Sequence, residues 1–472
     1  MLRDGSVRLA AFAFALTLTG CASGPEYQRP AMPEVAEGSF VGRSPQVDMD
    51  SPPPADWWKL YADPALDAIV QEALSANTDL RVALANLDHA RAIYRGARGE
   101  LLPTTDVTAG ARRGRDQTSW GGAGQAPVQW NYSGGLGIAY ELDLFGRVRR
   151  DIEAARGDTE AVVAALDVVK VVVVGEATRA YVDACAYGES VDVARTSIEL
   201  ARQTLDLVIR QERAGAAARL DIERSGAALA QAEAAFPRLQ AQQNAALLEL
   251  AALMGRPPSQ VPDPARACKK APEIIGTIPV GNGTAMLRRR PDIRQAERQL
   301  AADTARIGVA VADFYPRVTL GASANYLRND YLRADRAWSF GIGPLISWTF
   351  PNMTAARSRI AQAKAQNAAS LARFDGVVLT ALKESEQSLS TYQGAIQQRD
   401  ALVQAQTHAE SAFRLAEQRY RAGSISYLDV LVAQNSLVGA RSQVAAADQQ
   451  VGSARVDVFK ALGGGWQERS QD

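Results

Sequence analysis

The chain has 472 residues with 52 basic against 52 acidic side chains, so a zero net charge gives it no electrostatic reason to seek nucleic acid. A hydrophobic content of 47% with only 37 Gly and 21 Pro excludes wholesale disorder. Its two histidines, His89 and His408, sit in polar helical surroundings, and neither GxSxG nor HExxH occurs, so no enzyme, no metal and no cofactor beyond a covalent lipid is expected.

Arg3 and Arg8 precede an apolar run, Leu9 to Gly20, too short to span a bilayer comfortably. It ends in Leu18-Thr19-Gly20-Cys21, which resembles a bacterial lipobox. Residues 1–20 are therefore predicted to be a lipoprotein signal peptide and Cys21 the acylated (palmitate-bearing) N-terminus of a lipid-anchored segment, 21–64; plain secretory cleavage near Ala22 is the alternative. Ala22, rather than Asp, fits outer-membrane delivery. Cys185 and Cys268 are read as isolated small residues, although an oxidising periplasm would permit them to pair. Trp57-Trp58 is assigned to packing.

Helices are predicted at about 65–100, 150–213 and 219–254, then 291–314, 356–421 and 426–462. A helix over 152–213 would be on the order of 90 Å long. Within it DVVKVVVVG, Asp167 to Gly175, has β-branched strand character but is kept helical, because its counterpart FDGVVLTALKE is plainly so. A coiled-coil-like seam is predicted along Leu371, Val378, Leu382, Leu389, Ile396 and Val403. RRRPD, Arg288 to Asp292, reads as a helix start with solvated arginines, and Gly463-Gly464-Gly465 as a helix stop.

The chain repeats itself. RAGAAARLD (Arg213 to Asp221) matches RAGSISYLD (Arg421 to Asp429), and TDLR (Thr78 to Arg81) matches PDIR (Pro291 to Arg294). Two similar halves follow, 65–260 and 286–465, with a linker at 261–285 and a tail at 466–472. Gly215 and Gly423 permit the two tight reversals.

Four segments alternate with a period of two: 105–112, 130–146, 317–326 and 338–350. One face collects Val107, Ala109, Ala111, Leu136, Ile138, Leu320, Phe340 and Ile342; the other is mostly Thr, Ser, Asn, Gly and Asp. Aromatics gather near the strand ends, as in the girdles of a membrane barrel. A soluble sandwich is the competing reading, but the strand lengths suit a tilted crossing of a ~30 Å hydrocarbon layer. An open sheet cannot persist in lipid, so several chains must pool strands: two would give eight, with a filled interior, and three twelve, with room for a water-filled lumen. The loops at Arg112 to Pro127 and Leu327 to Ala337 would face outside the cell.

With GPEYQRP (Gly24 to Pro30), DWWKLYADPALDAIVQEALSANTDL (Asp56 to Leu80), ELDLFG (Glu141 to Gly146), LRRRPDI (Leu287 to Ile293), FYPRVTL (Phe314 to Leu320) and the twin turns, essentially the whole mature chain resembles the TolC-like outer-membrane efflux proteins, in particular the OprM/NodT-type lipoproteins. The resemblance implies a mainly α fold with a membrane β-barrel portion: a homotrimer with a long α-helical barrel and a shared twelve-stranded barrel in outer-membrane lipid. It implies the exit duct of a tripartite efflux system for drugs or toxic compounds, bridged by a periplasmic adaptor to an inner-membrane resistance-nodulation-division pump. Arg213, Gly215, Arg421 and Gly423 would mark adaptor-docking tips, and Asp221 and Asp429 the periplasmic gate. Asp429 matches the family's first gate acid, Val432 stands where some members have a second, and Asp429 equally suits a helix cap. A structural coiled-coil envelope lipoprotein without transport is the alternative.

Overall fold

The structure, a computed structural model, describes residues 23–31, 40, 45–115 and 125–466. The predicted signal peptide, Cys21, nearly all of the tail and the middle of the Arg112–Pro127 loop lie outside those residues. In chain order come β1 (Val47–Asp48), α1 (Pro64–Ala76), α2 (Thr78–Gly99), β2 (Thr104–Arg115), β3 (Val128–Leu142), α3 (Arg147–Arg213) and α4 (Arg219–Leu253). Then follow α5 (Asp263–Ala267), β4 (Ile278–Pro279), α6 (Gly283–Arg289), α7 (Pro291–Ala312), β5 (Arg317–Arg328), β6 (Trp338–Ser347), α8 (Thr354–Arg421) and α9 (Tyr427–Ala461). The β-branched run at 167–175 is helical, inside α3.

Local chemistry explains the boundaries. Asp63 accepts from the amides of Ala65 and Leu66, with Pro64 in the first turn of α1. The single helix expected at 65–100 is two helices, because Asn77 does the same for α2, accepting from Asp79 at 2.9 Å and Leu80 at 3.2 Å. Its own amide group donates to the Leu253 carbonyl at the end of α4, so the break also closes that helix terminus. Asp143 of ELDLFG accepts from Val148 and Arg149 at 3.0 Å each and starts the 67-residue α3.

The described residues fall into two compact units, and each draws on both sequence repeats. One comprises the N-terminal segment to Pro30, Asn86–Val163 and Gln295–Asp375. It holds the four-stranded antiparallel sheet, in the order β2-β3-β5-β6. Its helical part is knit by small residues and polar bridges: Gly157 lies so close to Ala302 that an added Cβ would sit 3.0 Å from that methyl. Ser370 donates to Asp303 and Asn367 to Thr304, joining α8 to α7.

The other unit comprises Ala31–Ala85, Ala164–Arg294 and Gly376 onward. Its core is built on Trp57, fully buried and stacked on Phe459 at 4.6 Å, with Trp58 and Tyr61 buried alongside. The tryptophan pair therefore packs. Gly463 and Gly465, at φ +69° and +101°, stop α9 beneath Trp57.

Along α8 the seam differs from the expected one. Leu371 and Val403 are exposed, and the buried line instead runs Ser370, Phe374, Val378, Ala381, Ser385, Leu389, Tyr392, in steps of 4, 4, 3, 4, 4 and 3. Val378 and Leu389 belong to both lines, and the heptad spacing of large apolar residues departs from the buried one where Ser370, Ala381 and Ser385 occupy it. Close helix approach is what buries them.

Candidate functional site

The registers settle which faces the strands share. Opposite Leu136 stand Val107 on β2 and Ala324 on β5, and Ala324 in turn faces Phe340 on β6; Ile138, Ala322 and Ile342 form the next row. Tyr140, Leu320 and Pro344 follow, then Leu142, Val318 and Ile346. Through these rows one face of the sheet is apolar apart from Thr105 at the β2 edge, and it is bare: Phe340 is 90% exposed, Val107 79% and Ile342 78%. The other face carries Thr108, Gly135, Asn325 and Ser339 in matching registers, interrupted by Leu327 and Leu345. A face this large and apolar calls for lipid or protein cover.

Aromatic pairs mark both ends. Trp130 lies against Tyr132 at 6.1 Å and Tyr326 against Trp338 at 5.0 Å at the hairpin end. Phe145 stacks on Tyr315 at 4.6 Å and Trp348 on Phe350 at 4.9 Å at the helix-joined end. The last strand stops at Ser347, opposite Arg317 where β5 begins, so Trp348 and Phe350 lie just beyond it. The N-terminal segment reaches this same end: Ser23, two residues after Cys21 in the chain, donates its amide to the Phe145 carbonyl and accepts from Arg150, both at 3.2 Å. A side chain at Gly308 would strike the Ser23 carbonyl at 2.6 Å, so this close approach needs glycine there.

Both turns adopt the geometry expected of them. Gly215 and Gly423 have φ of +76° and +73°, their amides donate to the Glu212 and Tyr420 carbonyls at 2.8 Å, and Arg213 and Arg421 end α3 and α8. Asp221 accepts from the Ala218 amide at 3.2 Å; Asp429, exposed, accepts from the Ser426 amide at 3.0 Å and its hydroxyl at 2.7 Å. Both carboxylates act as helix caps. The sequence reasoning missed what joins the two turns. Tyr420 donates to Gln211 at 2.7 Å, the hydroxyls of Tyr427 and Ser225 lie 2.7 Å apart, and Tyr427 is buried with Val208 and Leu431. Burial pushes the Tyr427 hydroxyl above its ordinary pKa, the bond with Ser225 opposing. The signal was available, since the repeat offset puts Glu212 and Arg219 where the second turn has these tyrosines.

Two expectations are corrected in the unit containing Trp57. First, Cys185 and Cys268 form a disulfide, with a Cα–Cα distance of 4.8 Å. Cys185 is fully buried on α3, and Gly188, one turn on, admits the Cys268 carbonyl, which an added Cβ would meet at 2.4 Å. Replacing both cysteines by serine is expected to cost about 4.5 kcal/mol, from loop closure over the 83-residue separation. Thermal unfolding with and without reductant checks this: wild type should fall to the variant's midpoint, and the variant should not respond.

Second, only Arg288 of RRRPD is exposed. Arg289 donates to the carbonyls of Pro53 at 2.7 Å and Leu462 at 3.3 Å, and burial pushes its guanidinium down to about 10. Arg290, 8% exposed, reaches Asp292 at 2.7 Å, Glu384 at 2.8 Å and the Ala461 carbonyl at 2.7 Å, tying α7, α8 and the end of α9 together. Burial pulls that guanidinium down, but the bonds and charges of Asp292 and Glu384 outweigh it and hold it above its ordinary value.

Among the described residues no helix is long and apolar enough to cross a membrane, and no group of three or more His, Cys, Asp or Glu side chains is placed to hold a metal. His89 and His408 are exposed on α2 and α8. An amphipathic four-stranded sheet with aromatic bands and two free edges, joined to very long helices, has the features of a chain that contributes strands to an outer-membrane β-barrel. The comparisons agree with that class.

The chain matches the outer membrane efflux protein family over residues 69–256 and 284–464, and it belongs to that family. It is 30% identical over 466 residues to the toluene efflux pump outer membrane protein TtgC of Pseudomonas putida, covering 97% of this chain and 95% of that one. To the outer membrane protein OprJ of Pseudomonas aeruginosa it is 31% identical over 481 residues, covering 99% and 98%. The solved outer-membrane channel OprN superposes with a TM-score of 0.87 at 33% identity, covering 95% of this chain and all of that one. The protein is an outer-membrane efflux channel.

Proposed function

We propose that three copies of this chain form the passive exit duct of a tripartite efflux system for small toxic compounds, with a periplasmic adaptor and an inner-membrane pump of the resistance-nodulation-division class as partners. The observation that carries this reading is the bare apolar sheet face between two unpaired edges, β2 and β6. In hydrocarbon each free edge would leave a row of unpaired backbone groups, so the wall must close by pairing between copies. Three chains make twelve strands, wide enough for a lumen lined by the Thr, Ser, Asn and Gly face. Exposed Leu371, Leu379 and Val403 on α8 would be covered by neighbouring helices in the same assembly. The tie of Ser23 to Phe145 and Arg150 favours a lipid on Cys21 entering the leaflet at the helix-joined end of the sheet. TtgC's name specifies toluene, and an apolar solvent is the kind of cargo proposed here.

In this reading the turns around Arg213, Gly215, Arg421 and Gly423 dock the adaptor, and the linked tyrosines hold the periplasmic end shut. Asp429 and Asp221 then face the constriction while they cap their helices. Purified protein in a planar bilayer should conduct, and a trimer is the expected particle in detergent. Absence of conductance in wild type and tip variants alike would overturn the duct. Asp429→Ala is expected to shift the reversal potential toward lower cation preference, with a cap loss of about 1 kcal/mol. An unchanged reversal potential would leave Asp429 as a cap alone.

A further inference from the structure

We infer that the lipid-facing side of the sheet ends in an arginine collar that binds a glycolipid whose headgroup carries phosphates. The inference rests on the reading above that the hairpin end of the sheet faces the cell exterior. Odd positions of β2 and even positions of β5 lie on the apolar face, which puts Arg113, Arg115 and Arg328 on it. They are the only charged side chains on that face of the four strands. All three are exposed, none is ion-paired among the described residues, and the partner Arg115 has there is the neutral Gln125. They cluster at one end: Arg113 stands opposite Trp130 and Arg328 opposite Tyr132, inside the aromatic band, whereas the helix-joined end of the same face has Leu142, Val318 and Ile346. The carboxylates of the strands, Asp106 and Glu141, fall on the other face, and Asp330 in the following loop is paired with Arg333 at 3.4 Å.

Three guanidinium groups with no carboxylate partner among the described residues, at the depth where aromatic side chains meet headgroups, favour a lipid of net negative charge over a neutral or zwitterionic one. They suit phosphate, which arginine binds in a bidentate fork. Two strand spacings across and two residues along place the Cα atoms of Arg113 and Arg328 about 12 Å apart. One disaccharide headgroup phosphorylated at both ends spans such a gap and can engage both arginines with separate phosphates.

The test uses the full-length chain in phosphatidylcholine nanodiscs, titrated with bisphosphorylated lipid A, its dephosphorylated form, or inorganic phosphate. At roughly fivefold per arginine, the triple variant R113Q/R115Q/R328Q should bind the bisphosphorylated lipid on the order of a hundredfold more weakly than wild type. Both proteins should bind the dephosphorylated form equally. Equal binding of the bisphosphorylated lipid by both, or phosphate-independent binding by wild type, overturns the collar; saturation by inorganic phosphate alone assigns the arginines to a free-anion site and overturns it too. Should the triple variant fail to assemble, Arg113→Gln and Arg328→Gln singly should each lose about fivefold. Labelling Asp335→Cys in intact cells with an impermeant maleimide isolates the premise: no label refutes the orientation, whereas label without phosphate dependence refutes the collar alone.

Discussion

Arginine in place of Ile342 is expected to abolish stable insertion into the outer membrane while leaving the helices folded. Ile342 is 78% exposed, near the middle of β6 on the apolar face, opposite Ala322. An arginine near the bilayer midplane of a barrel wall costs about 2–4 kcal/mol per chain, and a homo-oligomer incurs it in every copy. Ser323→Arg is the matching control. It lies one register away on the opposite face, paired with Gly341, where a charge meets water in the lumen. Recovery in the outer-membrane fraction and the heat-resistant oligomer should therefore collapse for the first variant and persist for the second. Similar behaviour of the two would refute the assignment of faces.

Arg290→Ala should destabilise the unit containing Trp57 by about 2–3 kcal/mol. The change removes a buried guanidinium shared by Asp292 and Glu384, whose side chains are 31% and 45% exposed and so keep part of their hydration, and the Ala461 carbonyl loses its donor as α9 ends. Lysine restores the charge but not the fork, so Arg290→Lys should recover only part of the loss. Arg288→Ala, two residues away and exposed, should stay within about 0.5 kcal/mol of wild type. Thermal unfolding of the three variants orders them; equal midpoints for Arg290→Ala and Arg288→Ala would show that the buried network contributes nothing net.

The arginines show where sequence reasoning stops. Three adjacent cations beside Pro and Asp look like a hydrated helix start, and nothing local says that Glu384, 94 residues away, completes a cage. The disulfide is a similar case, since its partners lie 83 residues apart and meet only because Gly188 lets the linker close on α3. Tyr420 and Tyr427 were visible as departures from the repeat, but their partners Gln211 and Ser225 belong to the other hairpin. Asn77, by contrast, was legible: Asn-Thr-Asp is a capping sequence, overlooked because hydrophobic spacing continued through it.

Patterns with a short physical period were readable from the chain alone. The side-chain alternation of a strand, the glycine required at a positive φ and the length of an uninterrupted helix are local properties, so the four strands, both turns and the long helices lay close to where the spacing put them. Duplication of the whole unit was equally plain. Burial of Arg290, of Ser370, Ala381 and Ser385 along α8, the cystine and the tyrosine link between the turns all depend on which distant segment arrives alongside. That is a matter of helix rotation and close approach, to which a one-dimensional pattern of polarity is blind. The registers of the sheet belong here too. Alternation predicted an oily face on each strand, and pairing of β3 with β5 is what made four such faces one surface.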